Sequence, residues 1–257
     1  MLRQRVLTAV VLLLVLAGVL GSGSLLAFYL TLAIFFGAAC WESLRLFGVR
    51  FSVPLAIASA LLLPLMADRS PDDWTALATL CVLIWALRFA PSLKFGLPPT
   101  GGPRGYLFAI VYLLSLFGCF IAIAGLFQRS ALFLISVMAI VWVADIGAYF
   151  AGRAFGRRKL APDISPGKSW EGVAGGWLAV LMLAAITTQV PMLADSFTAM
   201  LQVRYGWLLW VLLMSLLVAA SVVGDLFESL MKRRAGVKTA VPCCQVMAVC
   251  WIVLMRW

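Results

Sequence analysis

The chain has 257 residues, of which 64% are hydrophobic and 12% are charged, whereas a soluble domain averages about 45–50% apolar and about 25% charged residues. No soluble core buries so much apolar side chain, so the composition excludes an ordinary soluble domain and predicts an integral membrane protein. The net charge is +10 and histidine is absent. The commonest general base and metal ligand is therefore missing, and the positive charge is expected to face cytoplasm and anionic lipid rather than nucleic acid.

Eight apolar stretches are long enough, or nearly so, to cross a bilayer as helices, which takes about 20 residues each. The predicted fold is therefore an all-α polytopic membrane protein with about eight transmembrane helices. Arg3 and Arg5 could instead mark a secretory signal, but a second apolar stretch follows at once, so a retained anchor is expected. The stretches lie near 6–21, 25–40, 52–66, 74–91, 105–127, 131–151, 172–194 and 206–224.

Basic residues predict the orientation of these stretches. If the N-terminus is cytoplasmic, every loop satisfies the positive-inside rule. We therefore expect a multi-pass protein of the inner (plasma) membrane, folded as one membrane domain. Within it we distinguish N-terminal helices at 1–128, a region rich in polar motifs at 129–238 and an unusual tail at 239–257. The predicted cytoplasmic loops hold Arg45, Arg50, Lys94, Arg104, Arg153, Arg157, Arg158, Lys159, Lys168, Lys232, Arg233, Arg234 and Lys238.

The sixth apolar stretch contains an acidic residue, Asp145. An ionisable residue inside a membrane costs roughly 2.5–3.5 kcal/mol to insert, so Asp145 is a functional candidate. Tyr149 is interpreted as an anchoring aromatic at the membrane interface. Small residues follow at a spacing that lets two helices approach closely, and we interpret them as helix packing. They are Gly147, Ala148, Ala151 and Gly152.

The loop after this stretch ends in a turn next to a predicted helix start. The basic run at 157–159 is explained most simply by membrane topology. Two prolines and a glycine then present Lys168 and Ser169 beside the helix start, an arrangement that suits phosphate. Gly167-Lys168-Ser169 is similar to the end of a P-loop, but the first glycine of that motif would fall at Pro162, so we reject a P-loop.

A second polar cluster lies where the eighth stretch meets the cytoplasm. Asp225, Glu228, Ser229 and Lys232 are spaced to share one face of a helix. The alternative is a solvated helix end with an ordinary salt bridge. Both clusters are expected on the same side of the membrane. Carboxylates can bind Mg²⁺, and lysine and arginine can bind phosphate. Phosphoryl-type transfer then needs mainly positioning and charge neutralisation, and no histidine.

From residue 145 to residue 238 the chain resembles the phosphatidate cytidylyltransferase (CDP-diacylglycerol synthase) family. The order and spacing of the motifs agree with that family, while the N-terminal stretches agree only in character. The matching pieces are Asp145-Ile146-Gly147-Ala148-Tyr149-Phe150, Gly152, Phe155-Gly156, Lys159-Leu160-Ala161-Pro162, Ser165-Pro166-Gly167-Lys168-Ser169-Trp170-Glu171-Gly172, Gly224-Asp225-Leu226-Phe227-Glu228-Ser229 and Lys232-Arg233.

The resemblance implies a reaction in which a phosphatidate oxygen attacks the α-phosphorus of CTP, pyrophosphate leaves and CDP-diacylglycerol remains in the membrane. It implies a catalytic set of Lys168, Asp225, Glu228, Ser229 and Lys232, with Asp225 as a ligand of the cofactor Mg²⁺. Expected partners are CTP, phosphatidate and the lipid bilayer, with no nucleic acid and with a homodimer left open. The implied substrate-binding residues are Asp145, Ser165, Ser169, Glu171, Arg233 and Lys238.

The tail departs from the family pattern, which would continue after Lys238 with Asp-Ser-Ser, then Leu-Pro-Gly-His-Gly-Gly and Asp-Arg-x-Asp, and then a last span. Residues 239–257 instead read TAVPCCQVMAVCWIVLMRW. When the tail is translated back into codons and read in the frame one base earlier, codon choices exist that encode the whole family pattern. Loss of one G just after codon 238 would therefore be enough to produce the printed tail. We therefore expect a one-base frameshift, real or a sequencing error, which would also explain the missing histidine. The alternative is a genuine divergent tail forming a short apolar segment.

The frameshift has a consequence for activity. By the family pattern, a second metal-binding aspartate would have lain at the junction of Trp251 and Ile252. Without that carboxylate and the last span, the chain as printed is expected to be inactive or nearly so. Three other functions stay open: a CTP-dependent polyprenol kinase-like enzyme, a membrane transporter using Asp145 as an ion site, and a non-catalytic remnant that still folds.

Overall fold

The computed structural model describes residues 14–67, 75–99 and 102–236. Helix α1 covers 14–22, and a π-helical turn, Trp85–Phe89, joins α4 to α5 without a break. A two-stranded hairpin separates α7 from α8, and a 3₁₀ turn, Pro191–Leu193, follows α8. The remaining elements are α2 (Leu25–Leu46), α3 (Ser52–Ala67), α4 (Thr75–Ile84), α5 (Ala90–Phe95), α6 (Gly102–Arg129), α7 (Ala131–Phe155), β1 (Lys159–Ala161), β2 (Ser165–Ser169), α8 (Trp170–Gln189) and α9 (Phe197–Ala235).

The predicted all-α membrane fold is confirmed. In the described part of the chain, six helices are long and apolar enough to span a membrane: α2, the continuous α4–α5, α6, α7, α8 and α9. Helix α3 has only 16 residues. Half of the first predicted stretch, near 6–21, lies outside the described residues. The total of eight spans and the cytoplasmic N-terminus therefore stay predictions.

The boundaries around the last two predicted spans differ from the structure. The seventh span was expected to reach residue 194, but α8 ends at Gln189 because Pro191 begins the 3₁₀ turn. Helix α9 begins at Phe197, before the expected start, and its backbone bends at Gly206, where φ is 71° and ψ is 173°. Phe197 and Leu201 are fully buried, so this first segment of α9 packs into the protein rather than extending the span.

Helix α9 packs against the N-terminal helices through a cluster of aromatic rings. Phe227 has no exposed surface, and its ring centroid lies 5.2 Å from that of Trp85 and 5.0 Å from that of Phe89. Phe108 and Tyr112 of α6 complete the cluster around Phe89. Such ring pairs add stabilisation beyond their buried area. Because Phe227 is fixed on this side, the rotation of α9 about its axis is fixed as well.

Helices α7 and α8 approach closely through glycine and alanine. A β-carbon built on Gly176 would lie 2.5 Å from the carbonyl oxygen of Ala144, and one built on Gly175 would lie 2.1 Å from the β-carbon of Ala151. A β-carbon on Gly147 would meet Ala179 at 2.8 Å. The interpretation of the small residues of α7 as helix packing is thus confirmed, and this packing forms one wall of the cavity described below.

We expect Gly176→Ala to destabilise the protein, because a methyl group there must push the backbone of α7 away, and overpacking of this kind costs roughly 1–3 kcal/mol. Gly125→Ala is the matched control, since nothing lies within 4 Å of a β-carbon at that helical position. Thermal unfolding in detergent should show a lower midpoint for Gly176→Ala and an unchanged or higher midpoint for Gly125→Ala. Equal midpoints for the two variants would contradict the close packing.

Candidate active site

The hairpin between α7 and α8 carries Lys168 and is tied to α9. Strands β1 and β2 are antiparallel, with Lys159 opposite Ser169. The Nε–H group of Arg233 in α9 donates to the carbonyl oxygen of Ile164 in the hairpin turn, with a nitrogen–oxygen distance of 2.5 Å. This hydrogen bond joins two segments that are distant in sequence. It holds the hairpin at the polar end of α9, and so determines where Lys168 can reach.

The first turn of α8 is capped by residues of the chain itself. Ser169 is buried, and its hydroxyl accepts a hydrogen bond from the N–H group of Gly172 at 3.2 Å, a typical N-cap. The N–H group of Trp170 donates to the carbonyl oxygen of Arg158 at 3.0 Å. The carboxylate of Glu171 accepts from its own N–H group.

These contacts change the expected role of the helix start. A helix N-terminus binds an anion through N–H groups that have no other partner. The first three N–H groups of α8 all have partners within the chain, so they are not available to a phosphate, and phosphate binding by Lys168 beside this helix start stays a prediction. A phosphate here must be bound by side chains instead.

Glu171 organises the basic loop rather than facing the cavity. Its carboxylate accepts hydrogen bonds from the backbone N–H groups of Arg157 at 3.1 Å and Arg158 at 3.2 Å. It therefore fixes the segment that leads from α7 into the hairpin. The resemblance implied a substrate-binding role for Glu171, whereas its observed contacts indicate a positioning role.

We expect Glu171→Gln to loosen the loop at 157–159, because a neutral amide oxygen accepts the two backbone N–H groups less strongly than a carboxylate. The weaker hydrogen bonds are expected to make local opening of the loop about fivefold more frequent. Limited trypsin digestion in detergent should therefore cut after Arg157 and Arg158 about fivefold faster. Asp163→Asn, an exposed change in the neighbouring turn, is the control. Unchanged digestion of Glu171→Gln would show that the loop is held by other contacts.

A cavity of about 370 Å³ lies between α7, α8, α9 and strand β2. Its charged side chains come from three different elements. Its remaining walls are apolar and include Val173, Val218 and Val222. The cavity thus combines charged groups with an apolar surface at the edge of the membrane-spanning helices. The polar residues that line it are Asp145, Tyr149, Arg153, Lys168, Ser169, Ser221 and Asp225.

The ion pair between Lys168 and Asp225 joins the two predicted clusters. The ammonium of Lys168 contacts the carboxylate of Asp225 directly, and both side chains are partly exposed to the cavity. Asp145 lines the same cavity and interacts electrostatically with Lys168 and with Glu228. Four predicted residues, Asp145, Lys168, Ser169 and Asp225, are therefore brought together.

Other predicted site residues lie beside the cavity rather than in its lining. Glu228 is 6% exposed and pairs with Lys232 one turn later in α9. Glu228 and Lys232 thus form the ordinary salt bridge that was predicted as the alternative to a functional cluster. Ser165, Glu171, Ser229 and Arg233 belong to neighbouring surfaces, and Lys238 lies outside the described residues. The predicted catalytic and substrate-binding roles of all these residues stay predictions.

Two lining residues, Arg153 and Tyr149, were not predicted as site residues. The guanidinium of Arg153 donates to the hydroxyl of Tyr149 at 3.2 Å, and both line the cavity. A signal for them exists in the sequence, because Asp145, Tyr149 and Arg153 follow each other at intervals of four and so share one face of α7. Ser221 was missed in the same way, one turn before Asp225 in α9.

The donor set of the cavity suits Mg²⁺. This ion prefers oxygen ligands and is commonly held by one or two carboxylates together with substrate phosphates and water. Asp225 and Asp145 both present carboxylates to the cavity. Within the described residues no three acidic, cysteine or histidine side chains are grouped closely enough to hold a metal by themselves. A bound Mg²⁺ would therefore share its coordination with phosphate oxygens, and would compete with Lys168 for Asp225.

A sequence model of the cytidylyltransferase family matches residues 3–240 of the chain. The chain belongs to the cytidylyltransferase family. The resemblance noted from residues 145–238 is therefore confirmed at the level of the family. The match ends two residues after Lys238, which is where the tail departs from the family pattern.

Individual members of this family are similar to parts of the chain. The phosphatidate cytidylyltransferase of Pseudomonas aeruginosa is 36% identical over 183 residues, which cover 68% of this chain and 66% of the relative. That of Bacillus subtilis is 38% identical over 95 residues, 37% of this chain and 35% of the relative. That of Haemophilus influenzae is 66% identical over 53 residues, 21% of this chain and 18% of the relative. The matches thus span at most about two thirds of these relatives.

Proposed function

We propose that the chain is built as a CTP:phosphatidate cytidylyltransferase, which makes CDP-diacylglycerol and pyrophosphate for phospholipid synthesis. The observation that supports this most is the cavity in which Lys168 and Asp225 meet beside an apolar wall. One substrate is a soluble triphosphate and the other is a membrane lipid with a phosphate headgroup. A cavity that is charged in one part and apolar in another suits a reaction between them.

The residues of the cavity suggest how the reaction is assisted. The ammonium of Lys168 would leave Asp225 and neutralise charge that develops on the phosphate as the lipid oxygen attacks. Asp225, with Asp145 in the same cavity, would hold Mg²⁺, which supplies further neutralisation of phosphate charge when bound. The apolar wall near Val218 and Val222 would keep the acyl end of phosphatidate out of water. Holding both substrates in one orientation supplies much of the remaining acceleration.

The multi-pass membrane location follows from the six apolar helices, and we propose the inner (plasma) membrane with the cavity facing the cytoplasm. That orientation rests on the basic loops and gives CTP access from the cytoplasmic side. A homodimer and the lack of a nucleic-acid partner stay predictions.

We further propose that activity requires the family pattern beyond Lys238. The family match ends at residue 240, while residues 237–257 lie outside the described part of the chain. Adding one base after codon 238 gives what we call the frame-restored chain, in which the aspartate-rich pattern is expected to return. The printed residues 239–257 contain no aspartate, so the second family carboxylate is absent from them and little or no activity is expected.

The test compares the printed and frame-restored chains in phosphatidate-containing liposomes. CTP labelled at the α-phosphate should label lipid only when the frame-restored chain and phosphatidate are both present. CTP labelled at the γ-phosphate, supplied with polyprenol, tests the polyprenol kinase alternative, because a kinase transfers that phosphate. No lipid label from either chain would overturn the proposed function. Equal α-label transfer by the two chains would overturn only the proposed need for the restored tail.

A further inference from the structure

Arg153 lies at the outer end of the charged side of the cavity. It follows Asp145 by two helical turns on the same face of α7, about 12 Å farther along the axis. Arg153 belongs to the last turn of α7, whereas Lys168 and Asp225 interact nearer to Asp145. The cavity therefore has an inner charged position and an outer one, and Arg153 occupies the outer position.

The two cations of the cavity differ in their partners. Lys168 is bound to the carboxylate of Asp225. The polar contact of Arg153 in the described structure is with the neutral hydroxyl of Tyr149, which uses one of the five N–H groups of a guanidinium. Arg153 thus keeps its positive charge uncompensated by any carboxylate contact in the described residues. The Tyr149 hydroxyl also limits the directions in which the guanidinium can point.

The first turn of α8 does not supply an alternative anion site at this end. The N–H groups of Trp170, Glu171 and Gly172 at the start of α8 all have partners within the chain. An anion beside the start of α8 therefore needs a side chain to bind it. A guanidinium suits this task because its fork of N–H groups matches the oxygens of a phosphate.

On the basis of the proposed function, we infer that Arg153 binds a phosphate group at the outer end of the cavity, namely the non-transferred phosphates of the nucleotide. These phosphates become the pyrophosphate that leaves. The position of Arg153 favours this source over the lipid headgroup, because the apolar wall that suits acyl chains includes Val218 and Val222, one to two turns before Asp225. The α-phosphorus would then lie near Lys168, and the rest of the triphosphate would extend outward.

A simpler role for Arg153 is that of a basic residue at a helix C-terminus, which stabilises the helix dipole and satisfies the positive-inside rule. Arg157 fulfils the second condition in the next loop and does not line the cavity. The two residues therefore form a matched pair for an experiment. Only substitution of Arg153 should weaken phosphate binding. If both arginines served only membrane topology, the two substitutions would have the same effect on binding.

The test measures equilibrium binding to the full printed chain in nanodiscs with Mg²⁺, using pyrophosphate, CTP, CMP and dioctanoyl phosphatidate as probes. Arg153→Gln should weaken pyrophosphate and CTP binding about tenfold, the loss typical of a charge-assisted hydrogen bond, and leave CMP and phosphatidate unchanged. Arg153→Lys should give an intermediate affinity, and Tyr149→Phe a loss of about twofold to threefold. Arg157→Gln should bind all four probes like the unmodified chain.

Three results would overturn the inference. They are failure of the unmodified chain to bind pyrophosphate, equal effects of Arg153→Gln and Arg157→Gln, and a loss confined to phosphatidate, which would place the lipid phosphate at this position. The proposed function fails separately, since it requires α-label transfer by the frame-restored chain. If pyrophosphate binding depends on Arg153 but no α-label is transferred, the phosphate site is supported and the proposed reaction is wrong.

Discussion

Asp225→Asn in the frame-restored chain should lower cytidylyl transfer to phosphatidate by roughly 10³-fold. The substitution removes the carboxylate that we propose as a Mg²⁺ ligand and that contacts Lys168 in the structure. A metal contribution of several kcal/mol to charge stabilisation corresponds to about this factor, at about 1.36 kcal/mol per tenfold change in rate. The measurement is the initial rate of α-label transfer from CTP at saturating phosphatidate. The shape of the residue is nearly unchanged, so folding should be retained.

Asp163→Asn is the matched control for this result. It is the same chemical change at an exposed residue of the hairpin turn that does not line the cavity. Its rate should stay within about twofold of the parent chain, as expected for a surface substitution away from a site. A similar loss in both variants would mean that the rate depends on the total negative charge near the membrane surface and not on Asp225 in particular. A rate above about one tenth of normal for Asp225→Asn would exclude Asp225 from metal binding.

Lys168→Met should lower the same rate by roughly 10²–10³-fold, the loss typical of removing one preorganised donor to a developing negative charge. Methionine keeps much of the length of the side chain and removes the ammonium. Lys168→Arg should recover only part of the rate, because a planar guanidinium replaces a compact charge. Lys159→Met, on the neighbouring strand, is exposed and serves as the control.

The double variant Lys168→Met with Asp225→Asn tests whether the two residues act together. Residues that contact each other show non-additive effects, and groups that act as one catalytic unit do so strongly. The double variant should therefore lose little more than the worse single variant. If the fold loss of the double variant equals the product of the two single losses, the two residues act independently. The ion pair in the structure would then have no joint role in the reaction.

The sequence was informative where spacing and composition act locally. The apolar stretches predict the helices. The four-residue spacing of small residues in α7 predicts that another helix packs closely against α7. The helical face carrying Asp225 and Glu228 was also predictable, since α9 continues as a helix through both residues. The meeting of Lys168 with Asp225 was expected only as a shared side of the membrane, and their direct contact requires the fold.

Other features depend on contacts that no spacing rule contains. Glu228 and Asp225 share a helical face, yet Glu228 is used by Lys232 while Asp225 turns toward the hairpin. Glu171 has the residue type of a ligand but accepts backbone N–H groups of a loop more than ten residues earlier. The bend at Gly206 falls at the start of the predicted stretch near 206–224, so hydropathy located the span but did not predict the buried helical segment that precedes it.

The bend at Gly206 also fixes how much of α9 can cross a bilayer before Asp225. From Gly206 to Asp225 the helix rises about 28 Å, at 1.5 Å per residue, which is close to the roughly 30 Å hydrocarbon thickness of a bilayer. If the span begins at Gly206, as its hydropathy predicts, Asp225 would lie near the opposite lipid headgroups. Longer lipid chains would thicken the bilayer and leave Asp225 below the headgroups, at a modest cost of mismatch for each ångström. Under the proposed function, the rate of lipid synthesis would then respond to the thickness of the membrane that its own product helps to build.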